Sequence, residues 1–227
     1  LVHLIATTPV GSIVNSAPLT GAPQRIPVTV MGCFVHQSKA GSFCQEITGA
    51  NCSSLTPSAL QVSADCSNVF VDGSETRGSE EAVVEFQFAG VSGRVSLRVW
   101  FPQLPVQFDL GSAVLKSITV PPGASSSQKC DSLFQQTRIQ TKTVFSTGSK
   151  SSSVVFVTHL SSDVLQVSNS KIASLVKLSP SYVVLSGQSA GEAVVQAIRG
   201  DVILGQSSIQ VVATEFVYPV SLKLLAA

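Results

Sequence analysis

Charge is scarce in this sequence. Only 12% of the 227 residues are Asp, Glu, Lys or Arg, about half the share of an ordinary soluble domain, and 14 Lys+Arg nearly balance 13 Asp+Glu. Without a basic excess there is no electrostatic footprint for a phosphate backbone or an anionic lipid surface, so the sequence predicts no nucleic-acid partner. With 44% hydrophobic residues, the chain does not read as a disordered tail either. Long apolar runs are absent: none approaches the roughly 20 residues of a membrane-spanning helix. Leu1 opens inside a strand-like run and the C-terminus stops on a fresh one, Val220 to Leu225. The sequence therefore reads as a piece of something longer, with any targeting or membrane-anchoring segment outside it. Paired Cys-x-x-Cys spacings are missing, which argues against a cytosolic metal site. The three histidines, His3, His36 and His159, are too dispersed to share a metal ion. No Gly-rich phosphate loop is present, and no cofactor or metal ligand is expected.

What the sequence does hold is period-two alternation. Ile26, Val28 and Val30 alternate with polar residues, followed by Leu60 and Val62, Val69 and Val71, Val84, Phe86 and Phe88, and Val95 to Val99. The second half reads as strands over Arg138 to Phe145, Val154 to His159, Val164 to Val167, Ile172 to Val176, Tyr182 to Leu185, Ala193 to Ile198, Val202 to Leu204 and Ile209 to Ala213. Short strands between Gly, Ser, Asn, Asp and Pro punctuation predict antiparallel sandwiches. No window sustains a helical period, so almost no helix is expected. Lys39 to Ser58 and Pro121 to Ser132 read as surface loops, and Ser146 to Ser153 as a hairpin tip.

The halves repeat. Leu60-Gln61-Val62-Ser63 recurs as Leu165-Gln166-Val167-Ser168, and Ala82-Val83-Val84-Glu85 as Ala193-Val194-Val195-Gln196, in the same order. A spacing slightly above a hundred residues is about one sandwich each. The expected fold is therefore all-β: two tandem immunoglobulin-like domains of the bacterial (BIG) type, over 1–103 and 104–227. Between them lies Val99 to Leu110, where Pro102 and Pro105 interrupt the alternation. Proline removes a backbone donor and fixes φ, so this seam is expected to be stiff, with Trp100 and Phe101 packed at it. Antibody domains instead set a tryptophan between two distant cysteines; Trp100 follows all four cysteines of its half.

Few constellations could carry chemistry. Gly187-Gln188-Ser189-Ala190-Gly191 matches a nucleophile elbow in letters. That motif needs a helix after it and a histidine downstream, yet all three histidines come before it. A strand-to-strand turn is expected there, and no catalytic residue. Asp65, Asp72, Glu75, Glu80 and Glu81 cluster, and Asp72-Gly73 reads as a solvated hairpin turn. Cysteine is the strongest chemical feature. Cys33, Cys44, Cys52 and Cys66 crowd one stretch of a Ser/Thr-rich, β-patterned chain, which favours disulfides and an oxidising compartment. Four cysteines allow three connectivities. The pairing expected is Cys52 with Cys66, whose loop closure is worth about 3 kcal/mol in the chain-entropy model, and Cys33 with Cys44. Finding Cys33 joined to Cys66 by non-reducing peptide mapping would overturn it. Cys130 is left unpaired. Asn51-Cys52-Ser53 is an N-glycosylation sequon, again pointing to the secretory pathway.

Several of these stretches coincide with one family. Cys66-Ser-Asn-Val-Phe-Val-Asp-Gly-Ser-Glu, Val95-Ser-Leu-Arg-Val-Trp-Phe-Pro-Gln-Leu-Pro-Val, Val202-Ile-Leu-Gly-Gln followed by Ser-Leu-Lys-Leu, and Asn15-Ser-Ala-Pro-Leu-Thr-Gly resemble the middle ectodomain of the transmembrane protein 132 family. The Trp-x-Pro-x-Leu-Pro seam is the most specific of them. By position Cys52, Cys66 and Cys130 match family cysteines, whereas Cys33 and Cys44 do not and suit a private pair. The stretch from Lys116 to Pro122 is shorter than its family counterpart. The resemblance implies a single-pass type I membrane protein with bacterial-immunoglobulin-like domains outside the cell. It also implies a role in cell adhesion or surface recognition, mainly neuronal. Partners would be other cell-surface proteins or homophilic contacts, with cytoskeletal regulators reached through the tail. Other readings of the sequence are a structural lumenal scaffold or accessory domains of a surface enzyme.

Overall fold

The computed structural model describes residues 1–35, 41–118, 133–148 and 150–217. It divides into two compact units: 1–103 together with 144–155, and 104–143 together with 156–227. The sequence assigns all of 104–227 to the second domain; residues 144–155 instead cluster with the first.

Unit 1 contains β1 (His3–Thr7), β2 (Ser12–Val14), the single turn α1 (Ala17–Thr20), β3 (Gln24–Pro27), β4 (Thr29–Val35), β5 (Ser42–Glu46), β6 (Asn51–Ser54), β7 (Gln61–Val62), β8 (Asn68–Val71), β9 (Ser79–Phe88) and β10 (Val91–Pro102). Its spine is the β9–β10 hairpin, paired antiparallel from Val91↔Phe88 onward. Ala89 and Gly90 both have positive φ, 49° and 81°, the geometry of a two-residue type I′ turn whose twist suits a hairpin. Along β10 Val95, Leu97 and Val99 point inward while Ser96 and Arg98 are exposed, and β9 buries Ala82, Val84 and Phe86. β6 adds antiparallel to β9 and β2 parallel to β10. Facing strands come from β3-β8-β7 and β1-β4-β5. Between them lies one apolar core that includes Leu4, Val30, Leu60, Val69, Phe86 and Leu97. Burying each such side chain stabilises the fold by about 1.5–3 kcal/mol.

Two sequence expectations fail in this unit. Of Lys39 to Ser58, read as a loop, residues 42–46 and 51–54 form strands β5 and β6. Every residue of β5 is exposed, so it carries no inside-outside alternation to be recognised. Asp72-Gly73 does not close a hairpin either. β8 pairs with β3 and β7, and β9 with β10 and β6, so 72–78 carries the chain from one sheet to the other.

Unit 2 contains β11 (Gln107–Leu110), β12 (Val114–Ile118), β13 (Leu133–Phe134) and β14 (Gln136–Ser146), of which 144–146 belong to unit 1. β15 (Ser152–Phe156) follows, of which 152–155 belong to unit 1, then the turn α2 (Thr158–Ser161), β16 (Leu165–Val167), β17 (Ala173–Ser179), β18 (Tyr182–Gly187), β19 (Gly191–Arg199) and β20 (Val202–Val217). One sheet runs β13-β12-β20-β19-β16; in the other, β14 pairs with β18 and β11, and β18 with β17. Leu115, Ile139, Leu185, Val195 and Ala197 are fully buried. Two expected strands, 202–204 and 209–213, are one, β20. Gly205 is there for proximity, since a Cβ at that position would meet the Val106 carbonyl oxygen and lie 2.7 Å from Val106 Cγ2. His159, expected at a strand end, is exposed on α2.

Candidate functional site

The cysteines are placed by the strands that carry them. Cys33 on β4 stands directly opposite Cys44 on β5, and the two are disulfide-bonded with Cα atoms 4.0 Å apart. The Val30 carbonyl accepts a hydrogen bond from Ile47 N. Counting along the ladder from that bond makes Cys33 and Cys44 a non-hydrogen-bonded pair, the closer of the two antiparallel alternatives. Cys52 on β6 is bonded to Cys66, Cα–Cα 5.7 Å, across 14 residues of sequence. Because β6 belongs to the β9–β10 sheet and Cys66 sits in the β7–β8 connection, this bond ties one sheet to the other. Cys130 and His36 lie outside the described residues.

Cys66 has φ +62°, a conformation uncommon for a residue with a side chain. The turn around it is over-determined. Cys66 N donates to Ser63 O at 2.9 Å and Ser63 N to Asn68 O at 2.8 Å. The Asp65 carboxylate accepts from the hydroxyls of Ser63 and Ser67, and from Ser67 N. Those donors pull the Asp65 carboxyl down to about 2, because they favour its charged form.

The carboxylates of this unit divide in two. Glu75, expected in a solvated turn, is only 3% exposed. Asn15 Nδ2 donates to its Oε2 at 2.9 Å, Gly73 N to Oε2 at 3.0 Å, and Gln61 Nε2 to Oε1 at 3.0 Å. Asn15, itself fully buried, also accepts from Ala17 N through Oδ1. This buried network ties α1 to the crossover between sheets; it is structural, and nothing in the local sequence announces it. Glu80 instead is half-buried beside Arg98, 2.9 Å away, and accepts from the Thr147 hydroxyl. Thr147 foremost, then Ser151, and Arg98 less, hold its carboxyl below the ordinary value. Among the described residues no group of three or more His, Cys, Asp and Glu is placed to hold a metal ion.

The residues expected at the seam lie as follows within unit 1. Trp100 is half-buried at the end of β10, and its carbonyl accepts from Asn15 N at 2.8 Å. Phe101 pairs with Ser146 and the buried Pro102 with Phe145. Gly78 passes so close that a Cβ there would meet Ser146 O and lie 2.7 Å from Val99 O. Pro105, in unit 2, is exposed and follows a cis peptide bond. The Gly187–Gly191 segment joins β18 to β19 with no helix after it, and Ser189 Oγ donates to Lys171 O at 2.7 Å. A hydroxyl bound to a backbone carbonyl, with no histidine following it in the chain, is part of a turn and not a nucleophile.

Two β-sandwiches in tandem, the first pinned by disulfides, define a pair of immunoglobulin-like domains. Residues 3–104 match the TMEM132 fourth domain and residues 116–216 the TMEM132 fifth domain, so the chain belongs to the transmembrane protein 132 family. Human (Homo sapiens) Transmembrane protein 132A is 34% identical to it over 115 residues, which are 51% of this chain and 11% of that relative. The chain thus spans about a tenth of that relative's length. Among solved structures, the S-layer protein rSbsC(31-844) aligns over 93% of this chain and 28% of its own, with 15% identity and a TM-score of 0.37. Titin A168169 aligns over 94% and 96%, with 12% identity and a TM-score of 0.28.

Proposed function

We propose that these domains are part of the extracellular portion of a single-pass type I membrane protein that acts in cell adhesion and surface recognition. They would contact other cell-surface proteins or a second copy of the same protein, and the parent's cytoplasmic tail would reach regulators of actin. The observation that carries this reading is the pair of consecutive TMEM132 domain matches, in order, along one chain. The two disulfides support it, since such bonds persist in oxidising compartments. A near-neutral charge balance is compatible with protein contacts that do not depend on steering.

A cell-aggregation assay on the full ectodomain, with this segment deleted and then restored, tests the proposal. Aggregation lost on deletion and regained on restoration supports it, and aggregation indifferent to the segment overturns it. The stiffness expected of Val99 to Leu110, so that adhesive surfaces are presented at fixed reach, belongs to the same proposal. Small-angle scattering that required a broad distribution of interdomain angles would overturn that part.

A further inference from the structure

The sequence contains four asparagines, and the structure treats them differently. Asn15 is fully buried with its amide committed to Glu75. Asn68 and Asn169 are followed two residues on by Phe70 and Lys171, which cannot supply the hydroxyl an acceptor site needs. Asn51 alone has a serine in that place, Ser53, and both side chains are exposed.

The register of β6 separates the acceptor from the disulfide. Asn51 stands opposite Gln87, Cys52 opposite Phe86 and Ser53 opposite Glu85. Successive side chains in a strand point to opposite faces, so Cys52 turns inward with the buried Phe86, while Asn51 and Ser53 share the outer face with Gln87 and Glu85. The intervening cysteine is therefore no obstacle to a sugar in the folded protein. Among the described residues the Asn51 amide makes no side-chain hydrogen bond. A depression of about 530 Å³ opens beside it, lined also by Gly49, Gln87, Phe88, Gly90 and Ser92.

We propose that Asn51 carries the one N-linked oligosaccharide of this chain, and that the outer face of β6 and β9 is in consequence turned to solvent in the assembled ectodomain. In the transfer, Asn51 Nδ2 bonds to the anomeric carbon of the first sugar of a lipid-pyrophosphate-linked oligosaccharide. The bond from that carbon to the pyrophosphate oxygen breaks, the lipid pyrophosphate leaves, and the amide gives up one proton. The glycan covers the face that carries the Arg94–Glu85 ion pair, and adhesive contacts use other surfaces.

The inference rests on the secretory-pathway reading above, and its test separates the two. The 227-residue chain behind a cleavable signal sequence is translated with rough microsomes, then treated with protease and with peptide-N-glycosidase F. Transfer precedes final folding, so a variant that folds poorly still reports. The expected result is one protease-protected species of higher mass that collapses to the bare polypeptide on deglycosylation and is absent in Asn51→Gln and Ser53→Ala. Protease-protected protein of bare mass overturns the glycan alone. A mass shift that survives Asn51→Gln overturns the assignment to this residue. Protein that stays accessible to protease overturns both readings. With the glycan established, ectodomain aggregation that is lost on restoring Asn51 to an Asn51→Gln protein would overturn the solvent-facing assignment, and unchanged aggregation supports it.

Discussion

Units 1 and 2 reach similar sandwiches with different means of fastening. Unit 1 joins its sheets through the Cys52–Cys66 bond and a buried carboxylate network on Glu75. Unit 2 has no disulfide among its described residues and sets hydroxyls where unit 1 sets hydrocarbon. Its strand β14 points Thr137, Thr141 and Thr143 inward along with Ile139. Thr141 N donates to Thr158 Oγ1 at 3.0 Å, the hydroxyls of Thr141 and Ser161 are 2.7 Å apart, and Ser161 Oγ reaches Val157 O. Covalent links narrow the unfolded ensemble, whereas satisfied hydroxyl pairs only offset the desolvation of burying them. Unit 1 is thus expected to depend on redox conditions through Cys33–Cys44 and Cys52–Cys66.

That contrast can be broken or sharpened by substitution, with calorimetry reading the two units as separate transitions. The largest effect is expected from Glu75→Ala. It strands the buried Asn15 Nδ2, at about 1–3 kcal/mol, and also takes the charged acceptor away from Gln61 Nε2 and from the amides of the exposed residues Asp72 and Gly73, so unit 1 should lose about 4 kcal/mol. Replacing both Cys52 and Cys66 by alanine should cost unit 1 about 3 kcal/mol and leave the unit 2 transition in place. Equal shifts of both transitions would end the comparison. Gly78→Ala, which forces a methyl against the carbonyls of Ser146 and Val99, should cost about 2 kcal/mol by overpacking. Its effect should fall on the unit 1 transition.

In unit 2, Thr141→Val should cost about 1 kcal/mol, the contribution of one hydrogen bond, since the Ser161 hydroxyl keeps its bond to Val157 O. The smallest effect belongs to the exposed turn before Cys66. Asp65 has its carboxyl lowered from 3.8 to about 2 by hydroxyl and amide donors. Its stabilisation is complete above about pH 4 and disappears as the pH falls toward 2. Asp65→Asn should lower the unit 1 melting temperature slightly at neutral pH and leave it nearly unchanged near about pH 2, which flattens the acid limb over that interval.

The parts of the fold that were legible are those where one face is apolar and the other wet. The alternation of Val84, Phe86 and Phe88 against Val95, Leu97 and Val99 announces the β9–β10 hairpin outright. β5 is silent because both of its faces meet solvent, whereas β14 was legible over 138–145 although three of its six buried residues are threonines. At Gly205 the residue type misled. A glycine among serines reads as a turn, but there it admits the Val106 backbone in mid-strand. The cysteine cluster and the sequon at Asn51 were visible as motifs. That Asn51 and Cys52 face opposite ways required the register with β9. Glu75 was invisible as a core residue, because its partners Asn15 and Gln61 lie 60 and 14 positions away.

Residues 144–155 belong with a unit whose other residues end at 103. On the ribosome, therefore, the N-terminal body has to wait for some forty residues of foreign chain before its last piece emerges. Until then Gly78 and Glu80 lack Ser146 and Thr147 as neighbours. Maturation of the two halves is in this sense interleaved, and a gene cut between them at residue 103 would deliver an unfinished product on one side and a surplus hairpin on the other.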